Sequence, residues 1–272
     1  MRYVIYMQLI KELRNKTGAG MVDCKKALDE TNNDLEKAVE ILRKKGIAKA
    51  AKRGAREATE GIVLVDTNSE KNKGYILEIN SETDFVSRNA KFQAFAQAIF
   101  DVIKNNNPAN LEELFNLKLA DSSNTVKEDL ETLSGTIGEK LIVKRFEIIV
   151  GATVSAYSHM NGKIGVLLSL DTADKDELAG DIAMHIAATD PKYLQPEDVN
   201  PDEINKEKEI YKEQLIKAGK PENIIDKILV GKINKYFEEI CLLKQEYIKD
   251  DKKKIEEILE KTKIEKFTRY SL

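Results

Sequence analysis

The chain has 272 residues, 42% of them apolar and 33% charged, with a formal net charge of -3. That composition describes a globular chain with a real core, organised as one large or two modest folded units. The near balance of charge argues against a protein built mainly to coat nucleic acid, and no segment approaches the roughly 20 apolar residues that span a bilayer.

Arg2 is followed by a short apolar run to Ile10, but the run stops at Lys11-Glu-Leu-Arg14 without a small-residue cleavage site. It is therefore not read as a secretion signal, and the cytoplasm is the expected compartment. Residues 7–46 read as three short helices. Leu9, Ile10 and Leu13 give the first its apolar face, and Gly18 and Gly20 break the chain. The second carries Ala27 and Leu28 and closes at Asn32-Asn33. Asp34 can cap the third, whose stripe is Leu35, Ala38, Val39 and Leu42, with Gly46 as its expected end. A unit of about forty residues has a small core and suits docking better than catalysis. From Arg43 to Arg56 there are seven Lys or Arg and no acid. Two readings stand, a phosphate-binding strip or a helical or mobile linker. The lack of interleaved aromatics and the alanines between the charges favour the linker.

Gly61-Ile-Val-Leu-Val65 and Gly74 to Ile79 read as two strands of a hairpin. It feeds the polar turn Asn80 to Asn89 and then a helix with Phe92, Phe95, Ala96, Ile99 and Ile103 on one face. Ser87 is a candidate N-cap for that helix, with Thr83 or Asp84 one turn earlier. Phe85 and Val86 sit at the tip of the turn. Phe85 either tucks under its own helix as a staple or is presented for insertion into another protein. Asn105-Asn-Asn-Pro108 ends the helix, and Thr125 with Glu128 forms a capping box opening an amphipathic helix of Val126, Leu130, Leu133 and Ile137. Gly135-Thr-Ile-Gly-Glu-Lys140 has the wrong spacing for a phosphate loop, and Leu141 stands where Ser or Thr should bind magnesium. The glycines are read instead as a helix end leading into a strand from Leu141 to Val150.

A similar order then recurs. Val154 to Tyr157 leads through Asn161-Gly162, a strong hairpin signal, into Lys163 to Leu170, an acidic loop and a helix bearing Leu178, Ile182 and Ile186. Two related hairpin-loop-helix units suit an α+β core of two subdomains. From Asn200 an antiparallel helical hairpin follows: Ile204, Tyr211, Leu215 and Ala218 lie on one helix, and Ile225, Leu229, Ile233, Tyr236 and Ile240 on the other. Gly219-Lys-Pro221 turns the chain between them. Ile255, Ile258 and Leu259 mark a closing helix from Lys253 to Lys261.

Thr83-Asp84-Phe85-Val86, followed by Phe92-Gln-Ala-Phe-Ala96, resembles the signature of the elongation factor Ts family, nucleotide exchange factors for the GTPase elongation factor Tu. Thr17 to Leu28, Ile182 to Ala188 and Glu238 to Leu243 resemble three more family motifs, so the likeness covers nearly the whole chain. It implies a ubiquitin-associated-type N-terminal module with its basic linker over 1–55, and core subdomains over 56–150 and 151–199. It implies further a coiled-coil protrusion over 200–243 and a C-terminal module over 244–272. It also implies that the protein binds elongation factor Tu in its GDP-bound and nucleotide-free forms and disturbs the magnesium and phosphate environment so that GDP leaves. The matching positions for partner contact are Met21, Val22 and Lys25, then Thr83, Asp84, Phe85 and Val86, then His185 and Ile248. The protrusion's role varies among members and includes self-association, so a homodimer through it is among the expectations. Gln245-Glu-Tyr-Ile248 lacks the family's usual proline, which leaves its backbone freer and weakens the transfer of a contact to Ile248.

An enzyme reading is poor. The chain has only two histidines, and its two cysteines, Cys24 and Cys241, read as small core residues. His185 falls beside the stripe of its helix, where a partly buried structural role competes with the interface role that the resemblance implies. The carboxylates show no metal spacing, and no cofactor is expected. A non-catalytic exchange factor is the expected function. An accessory protein binding nucleic acid through residues 43–56 is the alternative, although direct nucleic-acid binding is not expected.

Overall fold

The computed structural model describes the backbone of residues 2–17, 19–51 and 55–272, and the side chains of 6–17, 19–46 and 55–272. The fold is mixed α+β and divides into two compact units. The first is built from residues 1–64 and 77–147 with Leu272, the second from 65–76 and 148–271.

In the first unit, helices α1 (Arg2–Thr17), α2 (Met21–Glu30) and α3 (Leu35–Ala51) enclose their own small core. Ile10, Leu13, Cys24, Ala27, Leu28, Ala38 and Leu42 are its buried members, so Cys24 serves as a core hydrophobe. Asn32 and Asn33 take left-handed backbone at the corner after α2, and the Asp34 carboxylate caps α3 by accepting from Lys37 N–H at 3.1 Å. The expected helix end at Gly46 is not there, since α3 runs on to Ala51. Tertiary packing explains the glycine. A Cβ on Gly135 would lie 2.5 Å from Gly46 Cα and 2.7 Å from its carbonyl oxygen, so two bare backbones meet at this crossing.

Strands β1 (Glu60–Thr67) and β2 (Lys73–Ser81) form the first hairpin. A one-turn helix α4 (Asp84–Ser87) and the long α5 (Ala90–Asn106) follow, then α6 (Leu111–Asn116), α7 (Val126–Ile137) and β3 (Leu141–Val150). The strand order is β1-β2-β3. Phe92, Ala96, Ile99 and Ile103 of α5 are buried as their spacing requires, while Phe95 is only half-buried. The cap of α5 is Asn89, whose side chain accepts from Lys91 N–H; Ser87 instead lies inside α4 and bonds the Asp84 carbonyl. Helix α7 begins with the expected capping box of Thr125 and Glu128, and left-handed Gly138 ends it. The α3 helix packs against α7, with an Arg43–Glu128 ion pair at 2.6 Å beside the Gly46–Gly135 crossing.

In the second unit, β4 (Thr153–His159) and β5 (Ile164–Leu170) pair antiparallel across a turn in which Met160, Asn161 and Gly162 all have positive φ. Helix α8 (Asp176–Thr189) covers them through Ala179, Ile182, Ala183 and Ile186. The turn between β1 and β2 belongs to this unit because Val154 N–H donates to the Lys71 carbonyl at 2.6 Å and Gly151 N–H to that of Asn72 at 3.0 Å.

The helical hairpin is α9 (Pro201–Lys217) and α10 (Glu222–Ile240), turning at left-handed Gly219. Its inner face buries Leu215, Ile225 and Ile233. Val199, Ile240 and Cys241 close its base, where Glu203 accepts from both Tyr193 and Tyr236 hydroxyls. A small hairpin, β6 (Glu246–Tyr247) and β7 (Asp250–Lys254), precedes α11 (Ile255–Ile258). The closing helix is thus a single turn, and the chain continues into β8 (Ile264–Ser271), which pairs with β5 and completes a β4-β5-β8 sheet. Buried Thr268 and Tyr270 alternate with half-buried Phe267, Arg269 and Ser271 along β8, and the alternation breaks at exposed Lys266, where the register with β5 shifts.

The contact at Gly135 makes a stability test. Gly135→Ala should destabilise the chain by about 1–3 kcal/mol, because neither backbone at the crossing can recede cheaply. Gly231→Ala on α10, where the added Cβ meets nothing within 4 Å, should stabilise by about 0.5–1 kcal/mol. Thermal unfolding of both variants checks the contrast, and a neutral Gly135→Ala would show that the crossing is loose.

A candidate partner-binding surface

The turn after β2 is held from both sides. Glu139, just past α7, accepts from Thr83 N–H at 3.0 Å through one carboxylate oxygen and from the Thr83 hydroxyl at 2.6 Å through the other. Glu82 returns the arrangement by accepting from Lys140 N–H at 2.6 Å, and its carboxylate also pairs with Arg56 at 3.2 Å. Lys140 Nζ donates to the Arg56 carbonyl at 2.7 Å. Within the turn, Ser81 Oγ donates to the Thr83 carbonyl.

Clamped there, the chain makes the single turn of α4 with Val86 inward and buried and Phe85 outward at 82% exposure. The ring is therefore not tucked under its own helix as a staple. Val86 performs the inward packing that a staple would have required of Phe85. Asp84 is partly exposed and pairs with Arg88 at 3.0 Å, an i,i+4 surface pair of small energetic consequence.

A second exposed group opens α2. Met21 and Val22 are 51% and 67% exposed, and Lys25 one turn later is exposed as well, while Cys24, Ala27 and Leu28 point into the module core. The helix begins here because Gly20 takes an extended conformation and accepts the first backbone bond, from Cys24 N–H at 2.9 Å.

The second unit carries the remaining two positions. His185 is completely buried. Its Nε2 lies 2.9 Å from Gln245 Oε1, and its Nδ1 accepts from Ile248 N–H at 3.4 Å. Since the amide oxygen can only accept and the Ile248 N–H can only donate, the imidazole is neutral with its proton on Nε2. Burial pushes its pKa below the usual histidine range, against the opposing hydrogen bond to Gln245. Gln245 is held in turn by the Thr189 hydroxyl at 2.9 Å and by its own amide donating to the Glu239 carbonyl at 2.9 Å. The result is Ile248 at the tip of the β6-β7 hairpin, 48% exposed. Asp181 steadies both sides of that tip, accepting from Tyr247 at 2.8 Å and Lys249 at 2.6 Å.

A family model described as elongation factor TS matches residues 82–272. The chain belongs to the elongation factor Ts family. The match begins at Glu82, so the N-terminal helical module lies outside it. Membership makes this chain a nucleotide exchange factor, a non-catalytic protein of translation elongation that works on elongation factor Tu and promotes replacement of its GDP by GTP. Among the described residues no group of three His, Cys, Asp or Glu is arranged to hold a metal, and no helix is long and apolar enough to cross a membrane.

The structure thus groups Thr83 to Val86 on one turn, Met21, Val22 and Lys25 on one helix start, and His185 with Ile248 through a hydrogen bond. As folded here, His185 has no surface with which to touch a partner and acts only through its neighbours. Sequence reasoning missed Glu139 as a site residue, because nothing local links it to Thr83 56 positions away. It noted Gln245 only as part of an altered motif. In the basic stretch, the side chains of Lys49, Lys52 and Arg53 lie outside the described residues. The four described cations all pair with carboxylates: Arg43 with Glu128, Lys44 with Glu40, Lys45 with Glu30 and Arg56 with Glu82.

Burial of neutral His185 sets a pH dependence. Its folded pKa lies below the unfolded value of about 6.5, so on acidification the unfolded chain takes up the proton first. The associated stability is fully present above about pH 6.5 and is lost as pH falls from there through the folded pKa. Asp181 and Tyr247 face the same region: against the burial that would raise it, hydrogen bonds from Lys249 and Tyr247 hold the Asp181 carboxyl below its usual range, and burial together with the bond to Asp181 pushes Tyr247 up to about 12, so neither enters this window. Melting temperature should therefore fall between pH 7.5 and 5.5, and less steeply in His185→Gln. Equal slopes for the two proteins would remove His185 as the cause.

Proposed function

We propose that this chain engages elongation factor Tu in both its GDP-bound and its nucleotide-free form, in the cytoplasm, and that its exposed groups divide the work. Met21, Val22 and Lys25 anchor the factor to either form. Ile248, positioned by His185 and Gln245, is a further contact. The Phe85 turn, with Thr83, Asp84 and Val86, weakens GDP by entering a gap that opens when the nucleotide site deforms.

The observation that carries this reading is the 82% exposure of Phe85 on a turn clamped on both sides. Exchange requires factor and GDP to weaken each other, and their coupling free energy is the same in both directions. A residue that binds both forms alike stabilises both complexes and contributes no coupling. A ring that finds its pocket only in the deformed site contributes nearly all of its burial energy, about 1.5–3 kcal/mol.

Phe85→Ala should accordingly slow GDP release at saturating factor by roughly ten- to a hundredfold, with little change in affinity for the GDP form. Met21→Ala with Val22→Ala should raise the half-maximal factor concentration and leave the saturated rate unchanged. Stopped-flow release of labelled GDP, with titrations of both forms of elongation factor Tu, measures these effects. An unchanged saturated rate for Phe85→Ala would reduce the ring to an anchor.

A homodimer through the helical hairpin is the second association. Its support is the exposure of Ile210 and Ile216 on α9 and of Ile224 and Val230 on α10. Sedimentation should then show self-association that Val230→Glu weakens at least severalfold; a wild-type chain monomeric at every concentration would exclude it.

A further inference from the structure

The Phe85 turn is fixed by groups distant in sequence. Local contacts alone, such as Ser81 Oγ on the Thr83 carbonyl and Ser87 Oγ on that of Asp84, tie the turn to itself but not to the unit. The carboxylate of Glu139 does the latter, with both oxygens on Thr83, the residue immediately before the one-turn helix. The reciprocal bond from Lys140 N–H to Glu82 makes the hold two-sided, so the turn can neither swing nor rotate about a single pivot. Glu139 itself is anchored, since its carbonyl accepts from buried Ser134 Oγ at 2.6 Å at the end of α7.

The other partner in this cluster is Arg56, which lies just past the segment that follows α3. Its guanidinium meets Glu82, and its carbonyl accepts from Lys140 Nζ. The start of the turn, the residues after α7 and the chain leaving the N-terminal module therefore share one set of hydrogen bonds within the first unit.

We infer that Glu139 is a positioning residue for nucleotide exchange: its carboxylate clamps Thr83 and so holds Phe85 in the presented orientation before the partner arrives. This rests on the reading of Phe85 as the residue that couples factor to GDP. A clamp of this kind acts through preorganisation. Without it the ring samples orientations that cannot enter the gap, and the loss falls on the release step rather than on docking, which the α2 residues supply. No atom of Glu139 needs to touch the partner.

The test is a cycle of Glu139→Ala, Phe85→Ala and the double variant, read by stopped-flow release of labelled GDP from elongation factor Tu. Glu139→Ala should lower the saturated rate about tenfold with a half-maximal concentration within about twofold of wild type. In the Phe85→Ala background it should have almost no further effect, because the group it positions is gone. Hydrogen exchange at the Thr83 amide should accelerate, whereas exchange in the core of α5 should not. Glu139→Gln, which keeps an oxygen for the Thr83 N–H and is the milder change for folding, should recover part of the rate. If Phe85→Ala slows release and neither Glu139 variant does, the clamp is irrelevant to exchange and the inference fails alone. Losses that multiply in the double variant would also overturn it, since they would mean a separate structural role. If Phe85→Ala leaves the saturated rate intact, the coupling role of Phe85 falls, and the positioning role with it.

Discussion

An apolar ring in water is unfavourable, and a chain free to rearrange would fold Phe85 against itself. It does not, because the residues on both sides are committed elsewhere. Thr83 is bonded twice by Glu139, and Val86 fills the inward position that the ring would take. The hydrogen bonds to Glu139 are charge-assisted and partly shielded from solvent, the kind that outweighs a neutral surface bond. Much of the first unit serves to place that carboxylate: the capping box starts α7, Gly138 ends it, and Ser134 fixes the carbonyl of Glu139.

The same helix α7 also receives the N-terminal module. The Gly46–Gly135 contact lets α3 lie close, and the Arg43–Glu128 pair joins the capping-box carboxylate to the module. Helix α7 thus links two groups of exposed residues, those at the start of α2 and those around Phe85. Under the proposed division of roles, that helix would couple the anchoring residues to the turn that carries Phe85.

In the second unit a buried neutral histidine replaces surface contact with support. His185 spends one nitrogen on Gln245 and the other on the backbone of Ile248, so an interior side chain sets the place of an exposed one. Glu246 stands where the family's usual proline is missing. Tyr247 and Lys249, both bonded to Asp181, restrict the tip that the proline would have stiffened.

What the amino-acid sequence determined alone are features whose stabilising partners are a few residues away. The Thr125–Glu128 capping box, the left-handed corners at Asn33, Asn161 and Gly219, and the helical stripes of α5, α8 and the α9-α10 hairpin all belong to this class. Family membership was legible for a similar reason, since its motifs are short and contiguous. Tertiary structure alone decided that Phe85 faces water, that His185 is sealed in, that α3 passes through Gly46, and that the chain ends as a strand beside β5. Each of those outcomes depends on groups far apart along the chain: Glu139 on Thr83, Gln245 on His185, Gly135 on Gly46, β5 on β8. A pattern read within one window contains none of those energies, because the partner that supplies them lies outside it.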